Sequence, residues 1–296
     1  MTEPNLFFHN SFAIVKEKVF ILSSNDNYAS NFGKQWKKYQ NIQIDSINNF
    51  DISKNFLEEI LFNDLKILKN KNVLEIGCGA GRFTEHIVKY AKLCVSVDLS
   101  SSIFYNVAKT SKNLILIKSD LMHLLPNKKF DIVICRGVLQ HTPDPLKSII
   151  KLYDFIDNHG KVYFDIYPMP KIGFFHPKYF FWRPLIKLLY KYEDFEILLE
   201  KRIKILLKIK RKIKIIFFNS DFISDTLIPI WDYKNKIILH NSVLEKWSIL
   251  DTLDGIYAKF DKPQRFTKIK KFLKKNNIKI INYKKKKNIF ETTRLF

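Results

Sequence analysis

Residues 73–81 read Val-Leu-Glu-Ile-Gly-Cys-Gly-Ala-Gly, a short apolar strand that runs straight into a glycine loop. A helical segment is expected from Arg82 onward. A chain takes this form where its backbone must come very close to a ligand. The spacing Gly77-x-Gly79-x-Gly81 is one residue tighter than the G-x-G-x-x-G dinucleotide fingerprint. Glu75 sits on the strand just before the loop. Its carboxylate would repel a pyrophosphate and attract a ligand that carries an amino group.

Outward from this loop, short apolar strands alternate with helices. Strands are expected at 72–76, 93–97, 114–117, 130–135 and 161–167, with helices at 82–91, 101–111 and 144–157. Apolar strands separated by helices imply a parallel sheet covered on both faces. Upstream, the apolar spacing of Phe56, Ile60, Leu61, Leu65 and Leu68 reads as a helix over 51–69, with Asp51 or Ser53 as N-cap. After Pro168 the alternation stops. It resumes with a helix at 264–276 and strands at 278–283 and 288–295. The chain therefore divides into an N-terminal extension (1–50), a nucleoside-binding core (51–169), an insertion (170–262) and a return of the core (263–296). The expected fold is α/β, a doubly wound, mostly parallel sheet.

Three further features fall in the order that a nucleoside site at the carboxyl edge of such a sheet requires. Asp98 ends the second strand, 17 residues beyond Gly81, where a carboxylate can bond ribose hydroxyls. Asp120 follows the third strand and can accept from an adenine amino group, with the Leu121 amide beside it. Arg136-Gly-Val-Leu-Gln-His141 follows the fourth. Each has a plainer reading: Gly can serve a tight turn, Asp98 can cap the next helix, and Asp120 can cap a short turn. Taken together they point to a nucleoside with a cationic tail, the shape of S-adenosylmethionine (SAM).

On Glu75-Ile-Gly-Cys-Gly-Ala-Gly, Asp98 and Asp120-Leu121, about half of the chain resembles the class I SAM-dependent methyltransferases. The resemblance implies a seven-stranded sheet with a last antiparallel strand. It also implies a cofactor site at Glu75, Gly77, Cys78, Gly79, Gly81, Asp98, Leu99, Asp120, Leu121 and Arg136. Phe32-Gly-Lys-Gln-Trp36 is similar to a subset of bacterial methyltransferases, some associated with surface-glycan biosynthesis. The implied acceptor is a small molecule, a glycan or a lipid-linked molecule. His141 is the candidate general base, since it lies on the loop after strand four and histidine is the side chain most often used in that role. Alternatively it packs at the start of the 144–157 helix. Tyr167, His176 and Asp165 are weaker candidates.

Composition sets bounds. The chain has 296 residues, 46% of them hydrophobic, enough for a substantial core. Its net charge of +22 fits nucleic acid, anionic lipid or an anionic substrate, and equally a drift toward Lys, Ile, Asn and Phe. An RNA methyltransferase is disfavoured, because Cys135-Arg-Gly-Val stands where the Asn/Asp-Pro-Pro-Tyr/Phe type would be. A non-catalytic binding module is disfavoured by the complete cofactor site. Cys78, Cys94 and Cys135 lack metal-type spacing, and no metal is expected. The first 24 residues do not read as a secretion signal, so the cytoplasm is the expected location. Within the insertion, residues 201–214 wind as a helix. Leu199, Ile203, Leu206, Ile213 and Phe217 share one face, and Lys201, Lys204, Lys208, Arg211 and Lys212 lie opposite. Such a helix either lies peripherally on the inner membrane face or packs its apolar side on the domain.

Overall fold

A computed structural model describes residues 4–10, 14–23, 25–234 and 237–295. The outermost ends of the N-terminal extension and of the 263–296 return lie outside the described residues. The strands are β1 (Ile14–Lys16), β2 (Val19–Ile21), β3 (Asn72–Ile76), β4 (Leu93–Asp98), β5 (Leu114–Lys118), β6 (Phe130–Cys135), β7 (Ile156–Asp165), β8 (Ile278–Lys284) and β9 (Ile289–Arg294). The α-helices are α1 (Ser30–Tyr39), α2 (Asp45–Asn48), α3 (Ile52–Ile60), α4 (Thr84–Ile87), α5 (Pro145–Leu152), α6 (Arg183–Leu189), α7 (Tyr192–Ile216), α8 (Asp221–Leu227), α9 (Asn241–Tyr257) and α10 (Phe266–Lys275).

The strands form one sheet in the order β1-β2-β5-β4-β3-β6-β7-β9-β8. From β2 to β7 all neighbours are parallel, and β9 runs antiparallel to both β7 and β8. The order reverses at β3, where the chain leaves toward β4 on one side and meets β6 on the other. A crevice opens at the carboxyl ends of strands around such a reversal. Apolar side chains of the central strands, among them Leu74, Val95, Ile117 and Val133, are buried in one core cluster, and Val73, Cys94, Ile132 and Ile134 lie in another. Both faces of the sheet are thus covered.

Three expectations need correction. Among the described residues the seven expected strands are joined by two more, because the hairpin β1–β2 of the N-terminal extension adds to the free edge of β5. This hairpin shields an edge that would otherwise present unpaired backbone groups. The 82–91 and 101–111 segments are shorter helices than their periodicity predicts. The second is a 3-10 turn over Ser101–Tyr105, ended where the Asn106 side chain turns inward to Thr84 Oγ1 (3.2 Å) and to the Ala108 amide (3.0 Å). Neither Asp51 nor Ser53 caps α3. Asp45 does so from upstream, accepting from the amides of Ser53 (2.9 Å) and Lys54 (2.8 Å). His86 Nε2 lies 2.9 Å from the same carboxylate and ties this cap to α4. These hydrogen bonds outweigh the cost of burying Asp45 and hold its carboxyl below the usual range. Glu85 joins the cluster by accepting from the Asp45 amide (3.0 Å).

The chain separates into two compact units, residues 1–169 with 260–296, and residues 170–259. The second unit is helical. In it α7 packs on α8 and α9. Arg183 donates to the carbonyls of Gly255 (3.0 Å) and Ala258 (2.7 Å), satisfying the C-terminal end of α9.

Candidate active site

The glycine loop leaves β3 with all three glycines at positive φ, +79° at Gly77, +52° at Gly79 and +91° at Gly81. A side chain at Gly77 would place its Cβ 2.1 Å from Val138 Cγ2, and one at Gly81 would stand 2.4 Å from Asn106 Oδ1. These two glycines let the loop pack against its neighbours. Gly79 is different: the nearest atom to its absent Cβ is in the Trp36 indole, 3.5 Å away. Gly137, also at positive φ, has open space where its Cβ would be.

Asp98 fastens the loop to the next strand. One carboxylate oxygen accepts from the Gly79 amide (2.7 Å), and the other accepts from both the amide and the hydroxyl of Ser100 (2.7 Å each). Desolvation raises its pKa against these hydrogen bonds. Asp98 is partly exposed, whereas Leu99 beside it is buried. Asp120 caps the turn at Leu121–His123, accepting from the Met122 amide (2.9 Å), and its second oxygen accepts from the Tyr28 hydroxyl (3.0 Å). Burial and the nearby Asp120 carboxylate push the Tyr28 phenol well above its usual range.

Glu75 and Cys78 lie at the base of the loop and both are buried. Glu75 is buried, and one of its oxygens accepts from Thr84 Oγ1 (2.7 Å) and Ser96 Oγ (2.6 Å). Desolvation pushes its carboxyl up to about 7, although both hydroxyls favour the charged form. Cys78 is also buried, and its thiol is pushed up by burial and the Asp98 charge. Arg136 is held in a local network. Its guanidinium lies 3.3 Å from Glu59 and 3.9 Å from Asp165, and 5.2 Å from the Phe56 ring centroid. Asp165 also accepts from the Gly137 amide (2.6 Å) and so fixes the start of the loop after β6.

His141 ends that loop. Its Nδ1 is 2.9 Å from the carbonyl oxygen of Phe260. A carbonyl only accepts, so Nδ1 carries the proton and the neutral ring has its lone pair on Nε2. The rings of Phe32 and Tyr167 pack on the imidazole at centroid distances of 5.0 and 5.5 Å. The plainer reading of the neighbouring segment also holds, since Asp144 caps α5 through the amides of Leu146 and Lys147 (3.1 Å each).

The N-terminal segment closes over the sheet edge. Tyr28 bonds Asp120, Phe32 packs on His141, and Trp36 covers Gly79. Asp26 accepts from Ser101 Oγ (2.8 Å) and pairs with Lys118 (2.9 Å). Sequence reading singled out Phe32-Gly-Lys-Gln-Trp36 without placing it here, and it missed Asp26, Tyr28 and Phe260. His176 lies in the second unit, apart in the chain from this constellation.

Glycines at the strand-to-loop turn, carboxylates closing the next two strands and open space at Gly137 are a donor set suited to a nucleoside with a cationic tail. Residues 74–164 match the methyltransferase domain family. Over those residues the chain is similar to methyltransferase domains. Among curated relatives, a ubiquinone biosynthesis O-methyltransferase of Coxiella burnetii is 34% identical over 103 residues, 33% of this chain and 44% of that protein. A malonyl-[acyl-carrier protein] O-methyltransferase of Ilyobacter polytropus is 30% identical over 105 residues, 33% of this chain and 39% of that one. The chain thus spans less than half the length of these relatives. A solved structure of magnesium protoporphyrin IX methyltransferase from Synechocystis PCC 6803 with bound SAH covers 91% of this chain and 98% of its own, at 14% identity and a TM-score of 0.46.

Proposed function

We propose that the chain transfers a methyl group from SAM to an oxygen of a small molecule, a glycan or a lipid-linked acceptor. The two curated relatives above, both named O-methyltransferases, support an oxygen acceptor. The observation that carries the catalytic assignment is the orientation of His141 by the Phe260 carbonyl.

When bound, SAM supplies a methyl group already activated on a sulfonium. Gly77, Gly79, Gly81, Asp98 and Leu99 would hold its ribose side, and Asp120 and Leu121 its base. Glu75 and Cys78 act from beneath by shaping the loop, and Arg136 by fixing the strand end beside Gly137. His141 Nε2 accepts the proton of the acceptor hydroxyl as general base. The Phe260 carbonyl then stabilises the imidazolium through Nδ1–H. Phe32 and Tyr167 hold the ring in place and keep water from it, so alignment of the acceptor supplies much of the rate. The location that fits this reading is the cytoplasm, with a peripheral place at the inner membrane face.

The test is incubation with methyl-labelled SAM and host extract, followed by separation of polar metabolites, glycans, lipids and RNA. Label is expected in one of the first three. Label in RNA alone would replace this reading with an RNA methyltransferase. Failure to bind SAM by calorimetry would leave a binding module without cofactor.

A further inference from the structure

We infer that the solvent face of α7 is a docking surface for an anionic lipid bilayer. The inference extends the peripheral location proposed above and does not depend on the transfer chemistry. Helix α7 packs inward through Phe195, Leu199, Ile203, Leu207 and the stem of Lys210. An ordinary surface helix would be polar on the other side. Here that side carries Ile197, Ile205, Ile209, Ile215 and Ile216, all exposed. At 100° per residue they share one sector with Lys201, Arg202, Lys204, Lys208 and Lys212, which are exposed too. The expected apolar face is turned inward at Leu199 and Ile203 with the cations opposite, and the structure adds to the basic face a set of outer isoleucines interleaved with the cations.

The helix ends in an apolar tip. Ile215 is 72% exposed, Ile216 68%, and Phe218 97%. Phe218 and Asn219 both have positive φ, and the turn is closed by the Asn219 amide on the Lys214 carbonyl (2.8 Å). A bulky residue in this conformation is uncommon and is kept by its surroundings. Its result is an aromatic ring projected away from the protein.

Charge selects the occupant. From Lys201 to Lys214 the helix has eight cations and no acid. Among the described residues Lys201, Arg202, Lys208 and Lys212 make no ion pair. A second copy of the chain would bring the same excess of cations. A nucleic acid would satisfy the lysines but has nothing to stack on isoleucine, which lacks a π-face. An anionic bilayer satisfies both sets at once: headgroups meet the cations while the isoleucines and Phe218 enter the acyl boundary.

The experiment is flotation of the full chain with vesicles of equal phosphatidylglycerol and phosphatidylcholine, and with phosphatidylcholine alone. Binding is expected only to the first, and it should weaken as salt rises. Lys201→Glu with Lys208→Glu and Lys212→Glu should lower the bound fraction by about tenfold or more. Ile215→Ser with Ile216→Ser and Phe218→Ser should lower binding while leaving its salt dependence. All six side chains are exposed, and unchanged SAM affinity and circular dichroism would show that the variants fold. The proposal is overturned if the wild type does not float at low salt. Binding at the wild-type level by both variants would overturn it as well. So would sedimentation showing a dimer that these substitutions dissolve. SAM binding without vesicle binding removes the surface and spares the methyltransferase reading; the opposite result does the reverse.

Discussion

The two units invert each other's burial. Residues 1–169 with 260–296 place acidic groups inside, with Glu75, Asp120 and Asp165 buried at or beneath the sheet edge and each held by hydrogen bonds. Residues 170–259 place apolar groups outside, with Phe175, Phe180, Leu188, Ile215 and Phe218 exposed. Buried polar groups and exposed apolar ones are the informative departures from ordinary partition. In the first unit the departure shapes a site for a small polar ligand. In the second it leaves apolar side chains on the surface, the basis of the docking face inferred for α7. The first unit's chemistry should therefore be sensitive to single atoms, and the second unit's stability should not.

The most demanding test is His141→Ala. Turnover should fall by about 10²–10⁴-fold with SAM affinity near wild type, as expected for loss of a general base. Normal turnover would remove His141 from the chemistry. Gly77→Ala should cost roughly 3 kcal/mol, from a positive φ and a collision with Val138, whereas Gly79→Ala should cost only about 1 kcal/mol. Denaturant unfolding of the pair checks this, and equal losses would show that the loop does not pack as described.

Glu75 gives a pH test. Its carboxyl is raised to about 7 in the folded chain from 4.5, so between these values the folded state binds the extra proton. Stability then falls as pH rises through this window, by on the order of 3 kcal/mol, and levels above it. Glu75→Gln should flatten that slope. A variant that keeps the wild-type slope would place the titration elsewhere. Asp98→Ala should weaken SAM binding by about 100-fold, from loss of charge-assisted hydrogen bonds. Wild-type affinity by calorimetry would overturn the ribose assignment.

What the sequence made legible follows the same division. Strands β3 to β6 read clearly because each is a run of mostly apolar residues long enough to show a pattern, and the glycine spacing marks its own turn. The β1–β2 hairpin was illegible because three-residue strands carry no periodicity. The α3 cap was illegible because Asp45 reaches it from outside the helix, where an adjacent Asp51 was the local candidate. Contacts between distant segments, such as Phe260 with His141 or Tyr28 with Asp120, leave no mark on either neighbourhood. In α7 the inward positions Leu199 and Ile203 read correctly, but Phe217 lies beyond the helix and Lys210 is buried. Helical spacing identifies a face without saying which residues a neighbouring helix will cover.

Lys210 supplies the smallest expected effect and the sharpest check on the contrast. It is buried among α7, α8 and the segment leading to α9, where its ammonium lies 2.5 Å from Asp225 and also donates to the Ile230 carbonyl. Removing one partner of a buried pair is costly when the other is left dry. Asp225 is about half exposed and can take up water, so its charge is not stranded. Methionine fills much of the lysine stem's volume and adapts to irregular space. Lys210→Met should therefore change unfolding stability by no more than about 1 kcal/mol, mainly through the lost donor to Ile230. A denaturant midpoint at constant m-value measures it. A loss of several kcal/mol would mean that the helical unit depends on buried charge as the first unit does, and the contrast between the units would fail.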